Sequence, residues 1–161
     1  KTTRYFDEVN SGVDFPAKYD RRHDLAITAT HQLSKSWVLS SVFVYQTGNA
    51  ITLPTERYII GGQPYTEFTS RNGFRMEPYH RLDFSATYTP VKKKKFTSSW
   101  NFSIYNVYSR KNPYFIYFAT ENSEGESFTL ADLSDGGTAY PKAYQVSIFP
   151  ILPSITWNFN F

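Results

Sequence analysis

The densest group of ionisable side chains is the segment YDRRHD, Tyr19 to Asp24, which holds two Arg, two Asp and one His in six residues. One interpretation is an exposed ligand contact through Arg22 and His23. The simpler alternative is that these charged residues form salt bridges at the start of a strand. A metal site that combines Asp20, His23 and Asp24 is not expected, because their spacing fits no common ligand pattern.

Two further motifs place charge where a ligand or a neighbouring strand could meet it. The sequence RNGFR, Arg71 to Arg75, predicts a turn at its central Asn-Gly pair. Its two arginines are candidate contacts for lipopolysaccharide or for a transported cargo. Arg81 and Asp83 are two positions apart, so in a strand they share one face, and we expect them to form structural ion pairs there.

The longest run of like charge is Lys92–Lys95. With aromatic residues nearby it would fit a nucleic-acid contact, but a net charge of +3 is small, and a solvated turn is the simpler interpretation. No Ser-His-Asp set or pair of carboxylates is evident, and the chain has no Cys. The sequence therefore predicts no enzyme, no catalytic or cofactor-binding residue, no metal site and no nucleic-acid partner.

Strict alternation of polar and apolar residues identifies the elements that would carry these side chains. This period of two marks β-strands, and no stretch of comparable length has a helical period. Aromatic residues make up 19% of the chain although the mean hydropathy is −0.46, which favours two-faced strands over a thick core. The five predicted strands are Leu25–Leu33, Trp37–Thr47, His80–Tyr88, Trp100–Tyr108 with a continuation at Pro113–Phe118, and Tyr144–Phe161 with a bend at its prolines.

The connections between these strands alternate in length. Short turns are predicted at about residues 34–36 and 90–98, and long loops at about residues 48–79 and 119–142. Arg57–Gly62 and Ser127–Leu133 are candidate short strands within the loops. Antiparallel strands place every second connection at the same end of a sheet, so the short turns lie at one end and the long loops at the other. This asymmetry is typical of an outer-membrane β-barrel, with short periplasmic turns and long extracellular loops.

An antiparallel transmembrane barrel turns the apolar face of its strands to lipid and the polar face to the lumen. The predicted lumen-facing pair is Arg81 and Asp83. A girdle of aromatic side chains is expected at the membrane interfaces, formed by Trp37, Tyr45, Tyr88, Trp100 and Trp157. A soluble β-sandwich also has alternating strands and is the alternative, although it predicts no asymmetry of loop length.

The last segment, SITWNFNF, alternates without interruption up to an aromatic residue. Ile155, Trp157, Phe159 and Phe161 share one face, and the pattern resembles the C-terminal signal that the outer-membrane barrel assembly machinery recognises on its clients. Strand addition at an open edge would be the mode of binding. The alternative is a buried terminal strand of a soluble sheet.

Four longer segments resemble the C-terminal barrel strands of TonB-dependent transporters of Bacteroidota, and they occur in the family's order. They are YDRRHDLAITATHQLSKSWVLSSVFVYQTGNAITLP, SRNGFRMEPYHRLDFSATYT, WNFSIYNVYSRKNPYFIYF and SIFPILPSITWNFNF. The resemblance implies the C-terminal portion of a 22-stranded barrel in the bacterial outer membrane that imports a scarce nutrient. The segments do not show the pattern of the glycan importers, so the cargo stays open.

The same resemblance implies partners: outer-membrane lipid, the remaining barrel strands, a plug domain and, as a further candidate, a surface lipoprotein. TonB would be contacted through an N-terminal region that these 161 residues do not contain. Five strands are too few to close a barrel, so either the chain is part of a longer transporter or more strands lie in the loops. The alternatives are a complete eight-stranded outer-membrane barrel and a soluble, aromatic-rich β-sandwich that binds carbohydrate.

Overall fold

The computed structural model describes residues 1–60, 63–91, 97–121, 125–127 and 140–160. They form an all-β structure with antiparallel strand pairing, as the alternation predicted. The strands are β1 Thr3–Arg4, β2 Phe15–Pro16, β3 Asp24–Gln32, β4 Trp37–Gln46, β5 Ala50–Ile51, β6 Pro54–Ile60, β7 Gln63–Phe68, β8 Phe74–Arg75, β9 Tyr79–Tyr88, β10 Thr97–Tyr105, β11 Pro113–Glu121, β12 Tyr140–Ser147 and β13 Leu152–Asn160. Within the described residues, no helix has the length and apolar character needed to span a membrane.

The chain divides into two compact units. The first unit comprises Lys1–Arg22, Gly48–Glu77 and Pro113–Val146, and the second comprises His23–Thr47, Pro78–Asn112 and Ser147–Phe161. The first unit contains the long connections, and the second contains the five-stranded sheet.

The second unit is built on one five-stranded sheet, in the order β13-β10-β9-β4-β3. Neighbouring strands are antiparallel and in continuous register. For example, β4 pairs with β9 from Trp37 opposite Tyr88 to Gln46 opposite Tyr79. The predicted short turn joins β3 to β4, and the backbone N–H of Leu33 donates to the carbonyl oxygen of Trp37 at 3.0 Å. Aromatic and β-branched residues at alternating positions favour this pleated arrangement.

All five predicted strands are present, but the fourth is displaced along the chain. It runs from Thr97 to Tyr105, whereas the alternation predicted Trp100–Tyr108. The strand ends early because Asn106 and Ser109 adopt left-handed backbone angles, with φ of 54° and 53°. Such angles do not continue a pleated ladder. The predicted continuation is the separate strand β11 of the first unit.

The fifth predicted strand is divided into β12 and β13. Phe149, with φ of 56°, lies in the break, which begins just before the predicted bend. Pro153 lies inside β13, opposite Ile104 of β10. Within the described residues β13 pairs with β10 alone, so it is an edge strand, where the missing N–H of a proline is tolerated.

The first unit shows that the two predicted long loops contain strands of their own. Its two-stranded sheets pair β1 with β2, β5 with β8, β6 with β7, and β11 with β12. The candidate strand at Arg57–Gly62 is confirmed as far as Ile60, within β6. Residues 61–62 and residues 128–133 of the second candidate lie outside the described part.

Two backbone segments, around Gly48 and around Met76, approach each other closely in the core of the first unit. The buried apolar side chains of the described residues are all in this unit: Phe15, Ala17, Ala50 and Met76. The N–H of Met76 donates to the carbonyl oxygen of Asn49 at 2.9 Å. A Cβ atom on the neighbouring Gly48 would lie 1.9 Å from the carbonyl oxygen of Met76, so only glycine fits this position.

We expect Gly48→Ala to destabilise the protein by about 1–3 kcal/mol, because only a backbone shift can relieve the overlap. Gly73→Ala is the matched control. The atom nearest to its Cβ would be the hydroxyl oxygen of Ser70, at 2.2 Å, and a side chain rotates more easily than a backbone moves. Urea unfolding followed by circular dichroism measures both variants. Equal losses would contradict the proposed difference.

Candidate functional site

A continuous row of aromatic side chains crosses the five-stranded sheet. Direct cross-strand partners lie on the same face of a sheet, and Trp37 pairs with Tyr88, Tyr88 with Trp100, and Trp100 with Trp157. The ring centroids are 5.0 Å apart in the first pair and 5.7 Å apart in the last. Four of the five predicted girdle residues therefore lie together, at the end of the sheet that carries the β3–β4 turn.

The fifth predicted girdle residue, Tyr45, lies at the opposite end of the same face. It pairs with His80, and their ring centroids are 6.4 Å apart. Nδ1 of His80 is 2.8 Å from the hydroxyl oxygen of Tyr108. Tyr45 follows Trp37 by eight positions, which corresponds to about 26 Å along the strand at ~3.3 Å per residue. The face is thus bounded by aromatic residues at both ends.

We call the surface between these two ends the apolar band. The register places on it Ile27, Ala29, His31, Leu39, Ser41, Phe43, Leu82, Phe84, Ala86, Phe102, Ile104, Pro153 and Ile155. None of these residues is Asp, Glu, Lys or Arg. Exposure is high: Ile27 is 53% exposed, Phe102 41% and Ile155 68%. An apolar surface of this extent marks a site that another molecule or a membrane covers.

The opposite face of the sheet carries small polar residues. Ser40, Ser85, Ser103 and Ser154 are successive cross-strand partners. The Thr30 and Ser40 hydroxyl oxygens are 3.3 Å apart. Alongside this row lies a shallow cavity of about 230 Å³, which Asp83 also lines. This face is therefore suited to contact with water.

The predicted pair Arg81 and Asp83 lies on this polar face, and the two side chains bind each other. Nε of Arg81 donates to Oδ2 of Asp83 at 2.9 Å. Nη1 of Arg81 donates to the hydroxyl oxygens of Tyr79 and Tyr105, at 2.8 and 2.7 Å, and the guanidinium carbon is 4.4 Å from the ring centroid of Tyr105. The two tyrosines were not predicted as members of this site. Tyr79 alternates with Arg81 and Asp83 along β9, which was a usable signal, whereas Tyr105 lies on β10.

A buried asparagine, Asn106, directly follows β10 and lies beside the bonded pair Arg81 and Asp83. Asn106 is 0% exposed, and its backbone N–H donates to Oδ1 of Asp83 at 3.0 Å. Its side-chain amide donates to the carbonyl oxygens of Arg110, Phe149 and Pro150. One side chain thus joins the end of β10 to the break that precedes β13.

A second asparagine continues the pairing with β9 beyond the end of β10. Oδ1 of Asn112 accepts from the backbone N–H of His80 at 3.0 Å, and Nδ2 donates to the carbonyl oxygen of His80 at 2.9 Å. The side-chain amide therefore takes the place of a peptide group from a neighbouring strand. The N–H of Val107 also donates to the carbonyl oxygen of Leu82 at 2.8 Å.

Arg75, predicted as a ligand contact, is instead bound within the first unit. Its Nη2 donates to Oδ2 of Asp20 at 2.6 Å, and its Nη1 donates to the carbonyl oxygens of Asp20 and Gly48. Asp20 is 2% exposed and also accepts from the backbone N–H of Thr2. These bonds give Arg75 a structural role within the first unit, and its contact with a ligand stays a prediction.

The remaining predicted ligand contacts are exposed. The RNGFR turn is confirmed, because Asn72 has a left-handed φ of 52° and the N–H of Gly73 donates to the carbonyl oxygen of Ser70. Arg71 is exposed on this turn and lines a cavity of the first unit. Arg22 and His23 are exposed just before β3, and Arg22 is not among the residues that line this cavity.

The predicted assembly-signal residues lie on the apolar face of β13. Ile155, Trp157 and Phe159 are 68%, 51% and 52% exposed, and the ring centroids of Trp157 and Phe159 are 4.8 Å apart. Phe161 lies outside the described residues. The three described members are therefore accessible along one edge strand, and their recognition by the assembly machinery stays a prediction.

No protein-family model, curated protein or solved structure matched the chain. Among the residues that the structure describes, no group of three or more His, Cys, Asp or Glu side chains could hold a metal ion. Function is therefore inferred from the two faces of the sheet and from the first unit.

Asp20 makes the stability of the first unit dependent on pH. The N–H of Thr2 and the guanidinium of Arg75 bind its charged form and hold the pKa of this carboxyl below its ordinary value. A carboxyl with a lowered folded pKa stabilises the protein above its unfolded pKa of about 3.9, and this contribution is lost as the pH falls through the folded value.

We therefore expect Asp20→Asn to lower the urea midpoint at pH 7. The difference from wild type should narrow as the pH falls from about 3.9 towards the lowered pKa of folded Asp20, because wild type loses the contribution of the charged carboxyl over this range. Asp14→Asn, at an exposed position of the same unit, controls for the loss of one negative charge. A difference that stays constant from pH 7 to pH 3 would contradict this role of Asp20.

Proposed function

We propose that the five-stranded sheet is part of the wall of an outer-membrane β-barrel, with the apolar band facing lipid. The observation that carries the proposal is the exposed, uncharged band of about 26 Å between aromatic ends. Outer-membrane barrels carry an apolar band about 25 Å tall between aromatic girdles. A strand tilt of about 40° would reduce the height of this band to about 20 Å, which suits the thinner-than-average outer membrane.

Strand length and the polar face support the same proposal. The five strands have 9, 10, 10, 9 and 9 residues in chain order, and a tilted membrane strand needs about 9–11. The polar face, with its serines and the pair Arg81 and Asp83, would line an aqueous lumen. An ion pair is better tolerated there than in lipid, because water and neighbouring hydroxyls solvate it.

The edges of the sheet require further strands. Within the described residues, β3 and β13 each have one partner. Unpaired peptide groups in lipid cost several kcal/mol each, so the proposal includes strands that cover both edges. The resemblance of the strand segments to TonB-dependent transporters indicates that these belong to a 22-stranded barrel around a plug domain. The whole would import a scarce nutrient with TonB as its energy-coupling partner.

The proposal fixes which connections face the cell exterior. The connection between β3 and β4 leaves one end of the sheet, and the connection between β4 and β9 leaves the other. The short turn would be periplasmic, and the long connection that contains Arg71 would be extracellular, because long loops face outward in such barrels.

Single-cysteine labelling tests this orientation, and the chain has no Cys of its own to interfere. We expect Arg71→Cys to react in intact cells with a maleimide that is too large to cross the outer membrane. Lys35→Cys, in the short turn, should react only after that membrane has been opened. Labelling is measured by mass shift on the protein in the outer membrane of the producing bacterium.

Three outcomes of this experiment would contradict the proposal. They are labelling of Lys35→Cys in intact cells, protection of Arg71→Cys, and recovery of the protein in the soluble fraction, which would favour a soluble β-sandwich. If the protein labels as expected but forms a barrel of only eight strands, the proposed orientation holds and the proposed TonB-dependent import does not.

A growth experiment tests the import. Loss of this protein and loss of TonB are expected to cause the same growth defect under nutrient limitation, and loss of both should cause no larger defect.

Charge substitutions on the two faces test the lipid contact directly. Phe84 is four positions from both Tyr88 and His80, midway along the band, and it is 40% exposed. Phe84→Lys would place a charge near the bilayer midplane, and we expect a loss of about 2–4 kcal/mol. Ser85→Lys is the matched control on the polar face, where water solvates the new charge.

Both variants are compared by denaturant unfolding of the membrane-extracted protein in lipid vesicles. A large loss for Phe84→Lys with little change for Ser85→Lys supports lipid on the apolar band. Equal losses would contradict the assignment of the two faces, and so would a well-tolerated lysine at residue 84.

A further inference from the structure

A cavity of about 390 Å³ lies within the first unit, and its chemistry is separate from that of the sheet. Its walls include Arg4, Phe6, Phe15, Lys18, Tyr19 and Arg71. Small-molecule sites usually measure about 300–1,000 Å³ and combine aromatic walls with a few charged groups. Three of the lining side chains are cationic and none is acidic.

The positive charge at this cavity is not neutralised by neighbouring carboxylates. The described contacts of the Arg4 guanidinium are to Tyr19: Nη2 donates to the hydroxyl oxygen at 3.0 Å, and the guanidinium carbon is 5.5 Å from the ring centroid. Within the described residues, Lys18 and Arg71 form no ion pair. The buried acids described in this unit are already paired, Asp20 with Arg75 and Glu121 with Lys142. An anion in the cavity would therefore meet three cations.

The aromatic walls favour a ligand with a flat apolar part. Phe15 is 4% exposed and forms the buried wall. Its ring centroid is 6.1 Å from that of Phe6, with the planes tilted by 31°. Phe6 is 52% exposed, so its ring remains accessible to a third ring, which aromatic side chains bind in offset or edge-to-face geometry.

The turn that carries Arg71 is fixed to the strand that carries Phe15. Nδ2 of Asn72 donates to the carbonyl oxygen of Pro16 at 2.9 Å, and the N–H of Asn72 donates to Oγ1 of Thr52 at 2.9 Å. The backbone that presents a cation and the backbone that presents an aromatic wall are therefore held together before any ligand arrives, which lowers the entropic cost of binding.

We propose that this cavity binds a small organic anion that carries an aromatic ring. The carboxylate or phosphate group would lie among Arg4, Lys18 and Arg71, and the ring would lie against Phe6 and Phe15. The inference rests on the first unit alone and does not require that the second unit lies in a membrane, so either proposal can fail without the other.

The test uses phenyl phosphate as the probe and the purified full chain, with binding measured by isothermal titration calorimetry. Inorganic phosphate and phenol are compared with it, because each supplies only one half of the proposed ligand. We expect phenyl phosphate to bind at least tenfold more tightly than either. Arg71→Gln and Lys18→Gln should each weaken binding about tenfold, the effect of one lost hydrogen bond to a charged group.

Arg22→Gln is the matched control, since Arg22 is an exposed arginine of the same unit outside the cavity. Its affinity should equal that of wild type, and circular dichroism must show the same fold for every variant. Benzoate distinguishes a carboxylate from a phosphate ligand. Equal affinity for phenol and phenyl phosphate, an equal loss in Arg22→Gln, or no binding of either aromatic anion at millimolar concentration would overturn the proposal.

Discussion

An apolar sheet face is stable only where something other than water covers it, because exposed apolar surface costs free energy in proportion to its area. In the second unit, side chains such as Ile27, Phe84 and Ile155 stay about half exposed. The described buried apolar core lies in the first unit. The stability of the five-stranded sheet therefore depends on what covers its apolar face. The barrel wall proposed above would supply that cover as lipid, with further strands at both edges and water on the opposite face.

The two units use polar groups in different ways. In the second unit, hydroxyls and the Arg81–Asp83 pair lie across an accessible face, where each group has several possible partners. In the first unit, Asp20 and Arg75 are bound to backbone atoms and hold distant segments together. The first arrangement leaves the polar groups on an accessible surface, whereas the second fixes a small core around a cavity.

Alternation alone predicted the strands and the face on which each aromatic residue lies, because side chains repeat every two residues along a strand. It did not predict that Trp37, Tyr88, Trp100 and Trp157 align in one row, since alignment depends on register across long connections. The Asp20–Arg75 contact joins residues 55 positions apart, and Asn106 acts through a left-handed backbone angle. Such non-local contacts leave no periodic signal in the sequence, so the cavity and the ion pair were missed.

The side-chain amide of Asn112 lets the chain leave the sheet without leaving the peptide group of His80 unpaired. Asn106 closes the end of β10 through bonds to Arg110, Phe149 and Pro150, so this second contact depends on the segment before β13. Insertions or deletions beyond Asn112 should leave its two bonds to His80 unchanged. The segment that follows Asn112 can therefore vary in sequence while this pairing stays constant, as is common for connecting segments.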